Sequence, residues 1–147
     1  SVFSRFTARR DSGVVGSSYG GTLASYWALS RPETFGLAAA VSYAPGDEKD
    51  LSGGLTALAR EAYLPDLARS GSPLPRFWLD CGTAGLDGTL VPFARAFDEV
   101  LRAGGFVPGP DYRFELVPGA DHNEAAWYRR LPAILEFLLP PGDGAGE

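Results

Sequence analysis

The sequence GVVGSSYGG, residues 13–21, joins a short run of small and β-branched residues to the start of a helical pattern. The first half is typical of a buried strand, and the segment from Gly20 to Ser30 carries apolar residues at helical spacing. Between them lies the pattern Gly-x-Ser-x-Gly, centred on Ser18 with Gly16 and Gly20 in the glycine positions. A sharp strand-to-helix turn holds its serine in a strained conformation that exposes the hydroxyl, and we expect the turn to crowd both glycines. The stretch therefore predicts Ser18 as a nucleophile.

The rest of the chain alternates between predicted strands and predicted helices. The predicted strands cover residues 13–17, 37–44, 76–82 and 112–119, and the predicted helices cover 20–30, 55–70 with a break at Pro65, 89–103, and a last segment from Trp127 to Leu138 that Pro132 kinks or restarts. Strands that alternate with helices form a parallel sheet with helices packed on its faces. The predicted fold class is α/β, with one domain over residues 1–139 and a tail over 140–147.

The composition argues against several classes of function. The 147 residues carry a net charge of −5 and no basic cluster, so nucleic acid is not expected as a partner. No apolar run approaches the roughly 18–20 residues of a membrane-spanning helix, so no membrane partner is expected. Cys81 is the only cysteine and His122 the only histidine, which excludes an internal disulfide and a metal site built from several of these residues. The sequence implies neither a metal nor another cofactor.

Three residues of suitable chemistry follow predicted strands. Loops at the carboxyl ends of parallel strands carry functional groups, and here they hold Ser18, Asp87 and His122. A histidine near neutral pH can take the proton of a serine hydroxyl, and a carboxylate fixes the imidazole tautomer. The order serine, acid, histidine matches the α/β-hydrolase arrangement. We expect Ser18 as nucleophile, His122 as base, and the backbone N–H of Tyr19 as a donor to the developing oxyanion.

The identity of the acid leaves alternatives open. Asp87 lies in CGTAGLDG, residues 81–88, and its other possible role is to cap the following helix, in which case a serine–histidine dyad remains. Asp121 precedes the histidine directly and is expected in a turn or at a helix N-terminus. Asp80 lies inside the third predicted strand and is expected to make a structural contact.

Three stretches resemble the family of esterase D and enterochelin esterase-like proteins within the α/β-hydrolases. GVVGSSYGGTLASYWALSRPETFG, residues 13–36, resembles the nucleophile turn and its helix. FWLDCGTAGLDG, residues 77–88, resembles the acid-bearing strand and loop, and YRFELVPGADHNEAAWYRRLPAILEFL, residues 112–138, resembles the histidine segment. The three stretches occur in the family's order, which is far more specific than any one of them alone.

The resemblance implies a three-layer α/β-hydrolase fold and places Ser18 as nucleophile, His122 as base and Trp127 at the substrate site. The family usually carries its acid where Gly85 stands, so Asp87, two positions later, serves only if the loop is shifted.

Family members usually have a longer segment before the nucleophile turn, which supplies the first strands of the sheet and a second oxyanion donor. The chain is therefore expected to be the C-terminal part of a larger domain, lacking the N-terminal strands. The sheet edge at residues 13–17 would then be exposed unless a missing strand, a partner chain, a domain swap or a homo-oligomer covers it.

The leading interpretation is a serine esterase that cleaves carboxylic esters or thioesters through an acyl-enzyme, with a small-molecule ester as its partner. One alternative is an acyltransferase of the same fold. Another is a non-catalytic hydrolase-like module that binds or assembles, which predicts that the Ser18 hydroxyl and the His122 ring lie too far apart to hydrogen bond, or that neither reacts.

Overall fold

The computed structural model of the protein describes residues 8–47 and 49–140. The strands are β1 Gly13–Ser17, β2 Leu37–Val41, β3 Arg76–Gly82 and β4 Tyr112–Val117. The helices are α1 Tyr19–Ser30, α2 Gly54–Leu58, α3 Leu64–Ser70, α4 Gly85–Ala103 and α5 Glu124–Leu138, with a π-helical turn at Ala59–Tyr63 and a 3₁₀ turn at Arg9–Asp11. Most of the predicted tail, residues 141–147, lies outside the described residues.

The four strands form one parallel sheet in the order β1-β2-β3-β4. β2 is buried along its whole length, which is why its sequence, LAAAV, is apolar throughout rather than alternating. The α/β class and the parallel sheet predicted from the alternation of elements are confirmed. Because all four strands run in the same direction, their carboxyl ends, and the loops that follow them, lie at one edge of the sheet.

Helices cover both faces of the sheet. On one face, α1, the α2–α3 segment and α4 surround the larger apolar core, in which the ring of Tyr43 stacks on Phe97 with centroids 4.5 Å apart. On the other face, α5 contributes Ile134 to a smaller cluster that includes Trp78. Burial of one such side chain stabilises the fold by roughly 1.5–3 kcal/mol. The three layers are those that the resemblance implied.

Two predicted boundaries differ from the structure, each for a local reason. The strand predicted to reach residue 44 ends at Val41, because the backbone of Ser42 turns to a φ of 49°. The helix predicted from residue 89 begins at Gly85, where the N–H of Leu86 donates to the carboxylate of Asp121 and so caps an early turn.

The helices continue past both prolines that were expected to interrupt them. The predicted break at Pro65 is replaced by the π-helical turn Ala59–Tyr63, whose wider geometry leads directly into α3 with the proline in its first turn. Pro132 lies inside α5 at an exposed position, and the helix does not restart there. In the part of the chain that the structure describes, none of the helices has both the length and the apolar character needed to cross a membrane.

β1 lies at one edge of the sheet. Among the described residues it pairs with β2 alone, and the Val15 side chain is 46% exposed although its neighbour across the ladder, Ala39, is buried. The open edge predicted at residues 13–17 is therefore a feature of the described chain. The segment or partner that covers it stays a prediction.

Candidate active site

Ser18 links β1 to α1 in a backbone conformation that L-residues rarely adopt, with φ 57° and ψ −131°. Its N–H donates to the carbonyl oxygen of Val41, 2.9 Å away, which holds the turn against the end of β2. Strain of this kind, roughly 1–3 kcal/mol, persists only where the surrounding contacts determine the backbone. The strained turn that the Gly-x-Ser-x-Gly pattern predicts is present, and Ser18 lines a surface cavity.

The tightly packed glycines of this turn are Gly16 and Gly21. A Cβ at Gly16 would overlap the backbone of Gly20, and a Cβ at Gly21 would lie 3.1 Å from the Gly16 carbonyl oxygen and 3.2 Å from the Cα of Ala40. A Cβ at Gly20 would meet no atom within 4 Å, because that position faces solvent. The expectation that the turn crowds Gly20 is therefore wrong. The backbone of Gly20 blocks a side chain at Gly16, but a side chain at Gly20 itself would point into open space.

The structure brings together the three residues predicted to form a triad. The distance between His122 Nε2 and Ser18 Oγ is 2.8 Å, and that between His122 Nδ1 and Asp87 Oδ1 is 2.7 Å. An ionised carboxylate can only accept, so Nδ1 carries the proton and Nε2 is left to accept the proton of the serine hydroxyl. The Asp87 side chain is fully buried and the His122 side chain is 12% exposed, which keeps water away from the hydrogen bond between these two residues. The arrangement can activate Ser18 as a nucleophile.

Asp87 reaches the histidine from inside the first turn of α4. The N-cap residue of this helix is Ala84, so Asp87 does not cap it, contrary to the alternative considered above. Its second oxygen, Oδ2, accepts the N–H of Gly82 at 2.7 Å and the hydroxyl of Ser42 at 2.6 Å. With Oδ2 occupied in this way, Oδ1 faces His122.

Asp121 has the local role that the sequence predicted. Its Oδ1 accepts the backbone N–H of Leu86, 3.1 Å away, at the start of α4, and the N–H of His122 at 2.7 Å. The same carboxylate occupies the space that a Cβ at Gly85 would need. Asp121 therefore fixes the loop that carries the histidine and takes no part in contacts with the ring.

Ser42 lies at the centre of a buried polar cluster beneath the triad. Its Oγ accepts the indole N–H of Trp127 at 2.8 Å and a guanidinium N–H of Arg130 at 2.9 Å, and donates to Asp87. Its own N–H donates to Asp80 Oδ1, 2.8 Å away. The side chain is fully buried.

Asp80 and Arg130 form a buried ion pair in the same cluster. Arg130 donates to Asp80 Oδ1 at 2.6 Å, and the indole N–H of Trp78 donates to Oδ2 at 2.8 Å. Burial raises the pKa of Asp80, and the nearby guanidinium opposes that effect. The structural contact predicted for Asp80 is therefore made.

Arg130 was not predicted as a site residue, although its position in the sequence of α5 could have indicated it. Arg130 occupies one face of α5 with the buried residues Ala126 and Ile134, four positions away on either side. An arginine within an apolar stripe requires a buried anion, and Asp80 is that anion.

Trp127 supports the site from behind the catalytic histidine. Its ring packs edge-on against the His122 ring, with centroids 5.2 Å apart, while its indole N–H donates to Ser42. It does not line the cavity at Ser18. The substrate contact expected of Trp127 stays a prediction, and the contacts of the side chain are with the buried cluster.

The cavity beside Ser18 and His122 has a volume of about 470 Å³. Its other lining residues are uncharged and mostly apolar: Tyr19, Ala44, Leu86, Thr89, Leu90 and Phe93. Tyr19 begins α1, so its backbone N–H belongs to the positive end of that helix.

Cys81, a second nucleophilic side chain near the site, is unsuited to that role. It is fully buried, and burial raises the pKa of its thiol to about 12. Among residues 8–47 and 49–140, no group of three His, Cys, Asp or Glu side chains is placed to hold a metal ion.

Three solved structures that share this fold are named as esterases. The ferric enterobactin esterase of Salmonella typhimurium matches with a TM-score of 0.62 and 20% identity, over 90% of this chain and 31% of that chain. The enterobactin esterase of Shigella flexneri matches with a TM-score of 0.65 and 21% identity, over 90% and 32%. A second Shigella flexneri structure, named enterochelin esterase, matches with a TM-score of 0.64 and 23% identity, over 92% and 32%.

The protein has the fold of part of an enterobactin esterase. The chain spans about a third of the length of these structures. No protein-family model and no curated protein matches it in sequence. The resemblance to enterochelin-type esterases is thus confirmed at the level of the fold. A shared fold at this sequence identity establishes the architecture and does not by itself establish the activity.

Proposed function

We propose that the protein is a serine esterase that hydrolyses carboxylic esters through an acyl-enzyme intermediate. The observation that carries this proposal is the unbroken hydrogen-bonded series from Asp87 through His122 to Ser18, with distances of 2.7 and 2.8 Å. The esterase names of the solved structures that share the fold support the same reaction type.

In the first half-reaction, His122 Nε2 accepts the hydroxyl proton of Ser18 as Oγ attacks the ester carbonyl carbon. Asp87 accepts the hydrogen bond from Nδ1–H and stabilises the imidazolium that forms. The carbonyl oxygen becomes an oxyanion that the backbone N–H of Tyr19 stabilises, together with the positive end of α1. The C–O bond then breaks, His122 gives its proton to the leaving alcohol, and the acyl group stays on Ser18.

In the second half-reaction, His122 takes a proton from a water molecule whose oxygen attacks the acyl carbon. The tetrahedral intermediate collapses, Ser18 Oγ leaves and regains the proton from His122, and the carboxylic acid is released. An alcohol in place of this water would give the acyltransferase alternative, and analysis of the products in the presence of an added alcohol distinguishes the two.

The cavity indicates the class of ester. None of its lining residues carries a fixed charge, and Leu86, Leu90 and Phe93 form an apolar wall next to Ser18. A carboxylate placed there would lose its hydration without gaining a partner. The substrate class that fits is an uncharged ester whose acyl group is apolar.

The geometry does not favour the first form of the binding-module alternative, since the Ser18 hydroxyl and the His122 ring lie 2.8 Å from each other. Its second form, in which neither residue reacts, is tested by the hydrolysis assay below.

Hydrolysis of p-nitrophenyl esters tests the proposal. Ser18→Ala should abolish turnover, because it removes the nucleophile. Ser17→Ala is the matched control, since Ser17 is the neighbouring serine and ends β1. Turnover that survives in Ser18→Ala and disappears in Ser17→Ala would contradict the assignment.

A further inference from the structure

We propose that Ser42 is a positioning residue, whose hydroxyl proton is directed at Asp87 by Trp127 and Arg130 and so keeps the carboxylate oriented toward His122. This inference rests on the proposed function, because the orientation matters only if Asp87, His122 and Ser18 act as a triad.

The hydrogen bonds at Ser42 Oγ determine the direction in which its hydroxyl proton points. The indole of Trp127 and the guanidinium of Arg130 can only donate, so both contacts, at 2.8 and 2.9 Å, occupy lone pairs of the hydroxyl oxygen. The third neighbour is Asp87 Oδ2, 2.6 Å away, which can only accept when the carboxyl is ionised. The single hydroxyl proton of Ser42 must therefore point at Asp87. The two donors from α5 thereby set the direction of a hydrogen bond to a residue of α4.

The hydrogen bond from Ser42 is one of several contacts that orient the carboxylate of Asp87. Oδ2 accepts the Gly82 N–H and the Ser42 hydroxyl, and the Arg130 guanidinium lies 3.6 Å away. Together these groups restrict the rotation of the carboxylate about the last side-chain bond. The other oxygen then faces His122 Nδ1 at 2.7 Å.

The backbone of Ser42 indicates that the hydroxyl is needed at this position. Its φ of 49° lies in the left-handed region, where glycine is the residue with least strain. The N–H of Ser42 donates to Asp80, whose carboxylate is paired with Arg130, so the strained backbone and the buried ion pair hold each other in place. A glycine would relieve the strain and lose the hydrogen bond to Asp87.

Nuclear magnetic resonance of the only histidine can test this proposal. With ¹⁵N-labelled histidine, a hydrogen-bonded Nδ1–H of His122 gives a downfield proton signal that exchanges slowly with water. Ser42→Ala keeps the Cβ and removes the hydroxyl. Ser42→Gly also removes the hydroxyl but relieves the backbone strain, so it should fold even if Ser42→Ala does not. Ser25→Ala is the matched control, because Ser25 is equally buried and its hydroxyl donates only to the backbone of α1.

The proposal predicts that both Ser42 variants lose the slowly exchanging signal and react about 10²-fold more slowly with a fluorophosphonate at Ser18, as expected when a catalytic group is misplaced by about 1 Å. Ser25→Ala should retain both the signal and the rate. If the unmodified protein shows the signal and both Ser42 variants keep it at an unchanged rate, the role of Ser42 is refuted while the triad stands. If the unmodified protein shows no such signal and no reaction with the fluorophosphonate, the proposed function itself fails.

Discussion

The carboxylate of Asp121 occupies the space that a side chain at Gly85 would need. Gly85 also has a φ of 51°, a conformation that favours glycine. Position 85, where the resemblance places an acid, is therefore closed to one in this fold. Asp87 supplies a carboxylate from the first turn of α4 instead, with its Oδ1 2.7 Å from His122 Nδ1.

Replacing Asp87 with asparagine should lower kcat by about 10⁴-fold, because an amide favours the wrong tautomer of His122. KM should change little, since Asp87 is buried and does not line the cavity. Asp121→Asn is the control: it removes the neighbouring charge, keeps an oxygen acceptor, and should alter kcat less than tenfold. Steady-state hydrolysis of an ester measures both. An Asp87→Asn variant with nearly full activity would instead support the serine–histidine dyad.

Adding a methyl group at Gly16 should destabilise the protein far more than adding one at Gly20. The Gly16 Cβ would overlap the backbone of Gly20, which cannot move without breaking the turn at Ser18. Gly20 is helical and open, so Gly20→Ala should leave stability unchanged or raise it by up to about 1 kcal/mol. Urea denaturation of the two variants provides the comparison. Equal destabilisation would show that the packing of this turn differs from the one described.

Arg130→Met should destabilise the fold, by about 3–5 kcal/mol at neutral pH, because it leaves Asp80 buried without its cation. Burial already raises the pKa of Asp80 above its ordinary value of 3.8, and loss of the guanidinium raises that pKa further. A carboxyl with a higher pKa in the folded state binds more protons there than in the unfolded chain. Its contribution to stability therefore falls as the pH rises through the interval between the two pKa values.

The penalty of Arg130→Met should accordingly shrink as the pH is lowered toward 3.8 and be smallest below that pH, where Asp80 is protonated in both states. Denaturation at neutral and at acid pH, relative to the unmodified protein at the same pH, measures this. Arg113→Met is the control, because Arg113 lies over the Trp78 and Phe137 rings and its ion pair with Glu115 is exposed, so its loss should cost roughly 1 kcal/mol with little change between the two pH values. A penalty that grows toward acid pH would contradict the account of this ion pair.

The apolar wall of the cavity should discriminate against charged acyl groups. We expect p-nitrophenyl butyrate to be hydrolysed with kcat/KM about 10²-fold higher than p-nitrophenyl hemisuccinate, which adds a carboxylate. Phe93→Arg should narrow or reverse this preference by supplying a cation, and Phe93→Leu, which stays apolar, should preserve it. Equal rates for the two esters would show that the acyl group does not enter this cavity.

The parts of the fold that the sequence predicted are those with strong local signals. β2 is continuously apolar and α4 has a clear apolar stripe, so both were expected, as was the parallel sheet that alternation implies. The predicted ends were less accurate where a contact distant in sequence decides them. Asp121 starts α4 early, and Ser42 ends β2 early through its backbone conformation.

The candidate site also has a part that the sequence predicted and a part that it did not. Ser18 could be proposed from its Gly-x-Ser-x-Gly pattern, His122 as the only histidine, and Asp87 from its place in the loop after a predicted strand. The cluster of Ser42, Asp80 and Arg130 draws on three separate parts of the chain, and no local pattern connects them. Gly21 is crowded and Gly20 is not because their Cα–Cβ bonds would point in different directions, and the spacing of residues in the sequence does not predict those directions.

Locating the adduct of a fluorophosphonate tests the central claim most directly. The unmodified protein should gain one phosphonyl group, and peptide mapping by mass spectrometry should place it on Ser18. His122→Ala should react far more slowly, since the serine hydroxyl then has no base. An adduct on Ser17 or another residue, or equally rapid labelling of Ser18 without His122, would contradict a hydroxyl activated by the only imidazole of the chain.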